Sequence, residues 1–515
     1  MLNRLTARND AWDLLVIGGG ATGVGVAVDA ASRGYAVLLV EACDFGQGTS
    51  SRSTKLVHGG VRYLERGDVS LVREALRERS RLLNNAPHLV HDRSFLLPTY
   101  RWWEAPFYGI GLKLYDALAG RDQFGSSRYL PRREVIRRLP TLQTHGLRGG
   151  ILYHDGQFDD SRLLINLVQT AMEQGATVLN YARVVKLIKR GDAVTGAIIR
   201  DEESGTETTV TAKGIVNATG AFCDAVRALA DPLATAIVAP SQGTHIVLDR
   251  SFLPGDTALM VPKTPDGRVM FAIPWHGHVL VGTTDVAVAH AEIEPRPTHD
   301  EIDFLLETTG RYLAKAPTRA DVLSTFAGIR PLVKATGTKN TAALSRDHTI
   351  HVDASGLLTI TGGKWTTYRN MAEDCVNRAA ALGHLPYRRC ITATLPIHGH
   401  SSPRSEVDPL AVYGSDAVAI RELQESNARY AQQLHPDYAF TAAEVVWAVR
   451  HEMARTVEDV LSRRIRILLL NAKAAATMAR PAAALMAQEL GRDAAWQEEQ
   501  VDQFERLSRG YQIVD

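Results

Sequence analysis

The segment WDLLVIGGGATGVGVAVDAASRGYAVLLVEA, residues 12–42, leaves this chain few ways to fold. A buried strand from Leu14 to Ile17, a glycine turn, a helix to about Ser32, a stop at Gly34 and a second strand ending at Glu41 make a βαβ unit. Gly18, Gly20 and Gly23 supply the G-x-G-x-x-G spacing, with Gly19 inside the turn and Thr22 at the helix start. The first glycine serves the tight turn, the second lets a pyrophosphate approach backbone N–H groups, and the third lets helix pack on strand. The helix N-terminus favours the anion. Glu41 closes the second strand about 20 residues on, where a carboxylate accepts the hydroxyls of an adenosine ribose and repels a 2′-phosphate. The unit therefore predicts a dinucleotide site, and by itself leaves NAD and FAD both open.

The rest of the chain bounds what can surround that unit. With 515 residues, 45% of them apolar, there is material for a large core and two or three structural units. Its 58 basic and 57 acidic residues nearly cancel, so no broad positive field exists to hold a nucleic acid, and an RNA-modifying flavoprotein is disfavoured. Cys43, Cys223, Cys375 and Cys390 show no C-x-x-C pair and no metal-ligand spacing, which predicts no metal site and fits a reducing cytoplasm. The leading residues do not read as a signal peptide. No run approaches the roughly 18 apolar residues of a membrane span, so a membrane-associated form would lie on the surface.

A second segment narrows the cofactor. DDSRLLINLVQTAMEQGATVLN predicts a helix with Leu163, Leu164, Leu167, Val168 and Ala171 on one face, stopped at Gly175. Three alternating strands follow, with turn signals at Arg190-Gly191-Asp192 and Glu203-Ser204-Gly205, ending in Asn217-Ala218-Thr219-Gly220. A β-meander that returns to an Ala-Thr-Gly corner resembles the second half of the FAD-binding domain of large two-dinucleotide-site flavoproteins. That resemblance implies adenine contact near Val184 and approach of Ala218, Thr219 and Gly220 to the flavin dinucleotide.

The motifs IGGGATGVG, TSSRSTKLVHGGVRYLE, VNATG, GTHIVL, IPWHGHVLVGTTD, GIRPL, SRDHTI and TGGKWTTYR occur here in order. In that order and spacing they resemble the FAD-dependent glycerol-3-phosphate dehydrogenases, from about residue 11 to 375, and EMARTVEDVLSRRIR extends the likeness more weakly. Trp365, where an aliphatic residue is commoner, and the loop Tyr100 to Tyr108 depart from the family pattern. The resemblance implies hydride transfer from C2 of sn-glycerol 3-phosphate to N5 of FAD, with electrons passed to a membrane quinone. The rival activities are an oxidase that reduces O2 to H2O2 and a non-catalytic FAD-binding redox sensor. It further implies a homodimer and a cytoplasmic protein held peripherally on the inner face of the membrane.

A phosphate dianion calls for convergent guanidinium, ammonium and hydroxyl donors. The resemblance assigns Arg62, Tyr63, Arg346, Lys364 and Thr367 to substrate binding, and Thr49, Ser50, Ser53, Lys55, His58 and Gly59 to the flavin side. Gly362 and Gly363 would present backbone N–H groups to the flavin pyrimidine. Arg330 would favour the alkoxide-like charge at the reacting carbon. His245 is the candidate base, with a strand-end hydrogen-bonding histidine as the equal alternative and His58, otherwise a flavin contact, as a second candidate. Asp285 reads as a turn cap.

The expected fold class is α/β: a Rossmann-like FAD-binding domain, a mixed-sheet substrate domain and a C-terminal helical domain. Residues 1–70, 151–240 and 326–385 are assigned to the first and 71–150 with 241–325 to the second. Residues 386–414 are read as a linker and 415–515 as the helical domain. The helix DVSLVREALRERSRLLNNAPHLV is read with its charges solvated. The arginines of SRRIRI are left to face a second subunit, the FAD domain or acidic lipid. YRWWEAPFYGIGLKLYDALAGR is the candidate membrane contact, with packing into the substrate domain as the alternative.

Overall fold

A computed structural model describes residues 10–61, 67–122, 124–265, 267–334, 348–401 and 408–513. Its first sheet is built outward from the βαβ unit. Trp12–Ile17 pairs in parallel with Val37–Val40 on one side and Glu207–Asn217 on the other. Thr177–Leu179 extends one edge and Leu358–Gly362 with His348–Val352 the other. The apolar runs of the central strands are buried on both faces, as a parallel sheet covered on both sides requires. Ala21–Ser32, Asp160–Glu173 and Tyr368–Leu382 cover one face, and the strands Ala182–Arg190 and Ala193–Asp201 with Val210 cover the other. The meander Ala182–Arg190, Ala193–Asp201, Glu207–Asn217 turns at Gly191 and Gly205, both left-handed.

Among the described residues the second sheet has ten strands and is mixed. Val238–Asp249 pairs antiparallel with Val322–Val333, while Ala258–Val261 pairs in parallel with Val90–Thr99. Gly149–Phe158 and Leu56–Val57 belong to this sheet. Residues 151–158 and 326–333 therefore sit with the substrate sheet and not with the dinucleotide domain. Their sheet membership depends on partners that lie far away in sequence.

The C-terminal helices Ala442–His451, Ala472–Leu490 and Ala494–Arg509 share a core with Val247, Trp275, Leu280 and Phe326 of the second sheet. Reciprocal capping boxes start the helices at Thr298 with Glu301 and at Thr441 with Glu444. Thr456 and Asp459 make the same exchange before a π-helical turn, Asp459–Arg464. The run that follows is broken at Arg466, which is left-handed (φ 66°), and again at the extended Asn471, so the short helix Ile467–Leu470 stands between the π-helical turn and Ala472–Leu490.

Two readings are corrected, the solvated helix and the linker, and for the SRRIRI arginines one of the three alternatives, the FAD domain, is the one observed. In the helix Val69–Asn85, Glu78 and Arg79 are buried, pairing with Arg369 and Asp155, because other elements cover the face that periodicity had assigned to solvent. Arg463, Arg464 and Arg466 point into the dinucleotide domain, onto Asp44 and Asp160. The stretch read as a linker is anchored: Arg33 donates to the Arg388 carbonyl, Tyr35 to that of Pro386, and Ile397 is buried in the first core.

Candidate active site

The glycine turn works by close approach. A Cβ at Gly23 would lie 1.9 Å from the Gly18 carbonyl oxygen, and one at Gly18 (φ +112°) 2.8 Å from that of Ala218. The helix Ala21–Ser32 starts at Gly20, which has no side chain to cap it; Ser50 Oγ accepts from the Ala21 N–H at 2.9 Å, and the first turn faces a cavity of about 490 Å³. Gly18, Gly20, Thr22, Glu41, Thr49, Ser50, Val184, Ala218, Thr219 and Gly220 line that cavity. Glu41 accepts from the N–H groups of Gly19 (2.5 Å) and Cys43 (2.9 Å). Burial raises its pKa, and those two bonds offset the rise only in part. Gly19 itself packs on Glu41 and Phe45 and does not line the cavity.

A second cavity, about 350 Å³, shares Thr49, Pro331, Gly362, Gly363, Lys364 and Trp365 with the first. Arg330, His245, His58, Ser53, Thr54 and Gly60 also line it. Its floor is a piece of sheet whose residues alternate. Ser241 pairs with Arg330, Gly243 with Gly328, and His245 with Phe326, so all six side-chain positions lie on one face. The glycine rung makes the room. A Cβ at Gly243 would fall 2.4 Å from Arg330 Nη2, and one at Gly328 3.0 Å from the Arg52 carbonyl oxygen.

His245 stacks on Phe326 (4.8 Å between centroids, 14°), and its Nε2 lies 2.9 Å from Thr54 Oγ1. Burial drives its pKa well below the ordinary histidine value, helped by the charges of Lys55 and Arg330. The ring is neutral at physiological pH. Arg330 is held by the Thr284 and Gln242 carbonyls, by Thr283 Oγ1 and by Asp285, 3.3 Å away. Asp285 is thus an ion-pair partner of Arg330, where sequence reading had it as a turn cap.

Several expected contacts lie elsewhere. Lys55 is wholly buried behind the cavity wall, bonded to Asp160 (2.7 Å) and the Ser51 carbonyl (2.8 Å). Burial lowers its pKa to about 7 against the pull of Asp160. Gly59 packs against Tyr115 and Leu76, and it is Gly60 that lines the cavity. Thr367 is buried, donating to the Lys364 carbonyl, and Thr366 takes its place on the cavity wall. Arg62, Tyr63 and Arg346 lie outside the described residues.

Sequence reasoning passed over Thr54, Ser241, Thr283 and Thr366. The period-2 spacing of Ser241, Gly243 and His245, and of Phe326, Gly328 and Arg330, was the available signal. Trp365, the departure from the family pattern, lines both cavities and donates Nε1–H to the Ser50 carbonyl at 2.9 Å. Among the described residues no group of three His, Cys, Asp or Glu side chains is placed to hold a metal ion. No described helix is long and apolar enough to cross a membrane.

Two family models match the chain. One, described as FAD dependent oxidoreductase, covers residues 13–369, and the other, described as C-terminal domain of alpha-glycerophosphate oxidase, covers residues 358–500. The chain is 43% identical to a mitochondrial glycerol-3-phosphate dehydrogenase of Arabidopsis thaliana, over 93% of this chain and 83% of that one. It is 40% identical to the mitochondrial glycerol-3-phosphate dehydrogenase of Homo sapiens, over 99% of this chain and 76% of that one. The solved glycerol-3-phosphate dehydrogenase of Bacillus halodurans, complexed with FAD, has a TM-score of 0.80 to this structure. It covers 98% of this chain and 95% of that chain, at 29% identity.

Proposed function

The chain belongs to the FAD-dependent glycerol-3-phosphate dehydrogenases, and from that premise we propose that its two joined cavities oxidise sn-glycerol 3-phosphate to glycerone phosphate. The residues fit FAD. The Gly18, Gly20 and Gly23 turn leaves backbone and a glycine-led helix N-terminus for a pyrophosphate, and Glu41 stands where a carboxylate for the ribose belongs. FAD, when bound, supplies the hydride acceptor.

The observation that carries the reading is the convergence of Arg330, Lys364, His245 and His58 on one cavity that opens into the glycine cradle. Lys364 offers the charge a phosphate needs, and Arg330 a fixed cation for the oxygen on the reacting carbon. His245, kept neutral, holds a lone pair for the hydroxyl proton, with Thr54 as its hydrogen-bonded neighbour in the cavity wall.

We carry the electron acceptor as a membrane quinone and the location as peripheral on the inner face of the cytoplasmic membrane. Supporting the membrane contact is the helix Glu104–Ala119 with the turn before it, where Trp102 (75% exposed), Phe107 (57%), Ile110 (73%) and Leu114 (48%) face outward. Aromatic and aliphatic groups presented together suit a bilayer interface.

The test is anaerobic visible absorbance of the purified flavoprotein with glycerol 3-phosphate, glycerol and glycerol 2-phosphate. Bleaching by glycerol 3-phosphate alone is expected; an unchanged flavin band overturns the substrate. Faster reoxidation by a soluble quinone than by O2 is expected next, and the reverse order would assign an oxidase.

A further inference from the structure

Arg330 is not simply a cation in a pocket wall, because its surroundings are built to fix it. On the sheet floor Ser241 is its direct cross-strand partner, and on its other side Ser241 pairs with Ala287. Asp285, two residues before Ala287, is therefore brought alongside both. The Ser241 hydroxyl donates to Asp285 Oδ1, and the same oxygen receives Arg330 Nη1 at 3.3 Å. The Asp285 side chain is 8% exposed and that of Arg330 27%. The carboxylate thus sits behind the guanidinium, and the guanidinium alone faces the cavity.

A second layer holds the other end of the fork. Arg330 Nη2 donates to the Thr284 carbonyl at 3.0 Å and to Thr283 Oγ1 at 3.2 Å. Thr284 is itself fixed, its Oγ1 donating to Glu301 at 2.7 Å and accepting from the Thr244 N–H at 2.8 Å. Glu301 is the capping carboxylate of the helix His299–Gly310, so the corner that holds Arg330 is tied to a helix end. Both terminal guanidinium nitrogens are committed to protein acceptors, and Gly243 lets the plate lie flat on the sheet.

We propose that Asp285, oriented by Ser241, is a positioning residue that aims Arg330 at the oxygen of the reacting carbon. The inference rests on the reading of Arg330 given above. A guanidinium fixed in advance stabilises developing negative charge without reorganising at the moment of reaction, whereas a mobile one spends part of its interaction on becoming ordered. The effect therefore falls on the chemical step more than on substrate capture.

The test is anaerobic stopped-flow reduction of the holoenzyme, giving a limiting rate of flavin reduction and a substrate Kd for each variant. Asp285→Asn is expected to lower the limiting rate about 10- to 100-fold, the range for one lost charge-assisted bond, with Kd within about threefold. Ser241→Ala, which removes only a hydroxyl, is expected to lower it several-fold and keeps the question answerable if Asp285→Asn does not fold. Arg330→Ala should regain rate with added guanidinium ion, and the Asp285→Asn, Arg330→Ala double variant should regain much less.

An unchanged limiting rate in both Asp285→Asn and Ser241→Ala, with Arg330→Ala inactive, overturns the positioning role and leaves the reading of Arg330 standing. Equal guanidinium rescue with and without the carboxylate overturns it as well. If Arg330→Ala itself reduces flavin at the parent rate, the reading of Arg330 falls and this inference with it.

Discussion

Replacing Asp44 by Asn tests whether the C-terminal domain holds the cofactor loop. Asp44 is completely buried one residue before Phe45 and the cavity-lining Gly46 to Thr49. Arg464 reaches it with both terminal nitrogens, at 2.7 and 2.9 Å, and Arg463 with Nε at 2.5 Å. The two arginines are not equally dependent on it. Arg463 keeps Glu458 and Asp459, both at 2.7 Å, whereas Arg464 keeps the Glu452 carbonyl (2.8 Å) and a loose Glu452 carboxylate at 3.7 Å, with the Asp459 charge nearby.

Asp44→Asn would leave Arg464 buried and under-compensated, which costs about 3–5 kcal/mol, while removing both charges together is close to neutral. The expected result is thus a large loss in Asp44→Asn and a partial recovery in the Asp44→Asn, Arg464→Met double variant. The assay is urea unfolding of the holoenzyme, followed by tryptophan emission and by release of flavin fluorescence. Flavin should be released at a lower urea concentration in the single variant. A single-variant loss under ~1 kcal/mol, or a double variant no better than the single, would refute the reasoning.

The sign with pH follows. Burial pushes the Asp44 pKa up, but the Arg464 and Arg463 charges outweigh it and the carboxyl sits below its ordinary range. Its contribution is present above the unfolded-state pKa, near ~3.9, and is lost as pH falls through the lower folded value.

Three further outcomes are expected. Gly23→Ala places a methyl 1.9 Å from the Gly18 oxygen, and the overpacking, about 1–3 kcal/mol or more, should be read as loss of bound flavin in the ratio of visible to ultraviolet absorbance. A Trp102→Ser, Ile110→Ser double variant removes two of the most exposed apolar side chains and should weaken sedimentation with lipid vesicles about tenfold or more, while turnover with a soluble dye acceptor is kept. Burial lowers the His398 pKa, but Asp416 and Glu173 outweigh it and raise it to about 9, with buried His88 and with His400 nearby. The interaction of His398 with these two carboxylates contributes fully below the unfolded value of ~6.5 and is lost as pH rises toward 9, so His398→Asn should flatten the thermal stability profile across that window.

How much of this was legible from residues alone depends on how local the cause is. The βαβ unit, the meander and the capping boxes at Thr441 and Thr456 are each set by neighbours within a few residues, and their turn and cap chemistry is visible in the string. So were most members of the site, since Arg330, His245, Lys364 and the Gly362-Gly363 pair sit in motifs that resemble a family. What those residues touch was not legible. Lys55 sits beside cavity-lining residues in sequence, yet its side chain runs behind the wall to Asp160, 105 positions away. Asp285 has the look of a turn cap until the register that places Arg330 opposite Ser241 puts a guanidinium beside it.

By itself, then, the sequence determined the parallel α/β core, the glycine cradle with Glu41, and the roster of cations and histidines, because these follow from periodicity, backbone freedom and side-chain chemistry. Only the tertiary structure decided which charges are buried. Glu78, Arg79 and Arg464 look like solvated surface in any local window, and they become ion pairs because distant elements cover them. Burial and cross-strand register are properties of pairs of segments, and a single segment carries no record of its partner.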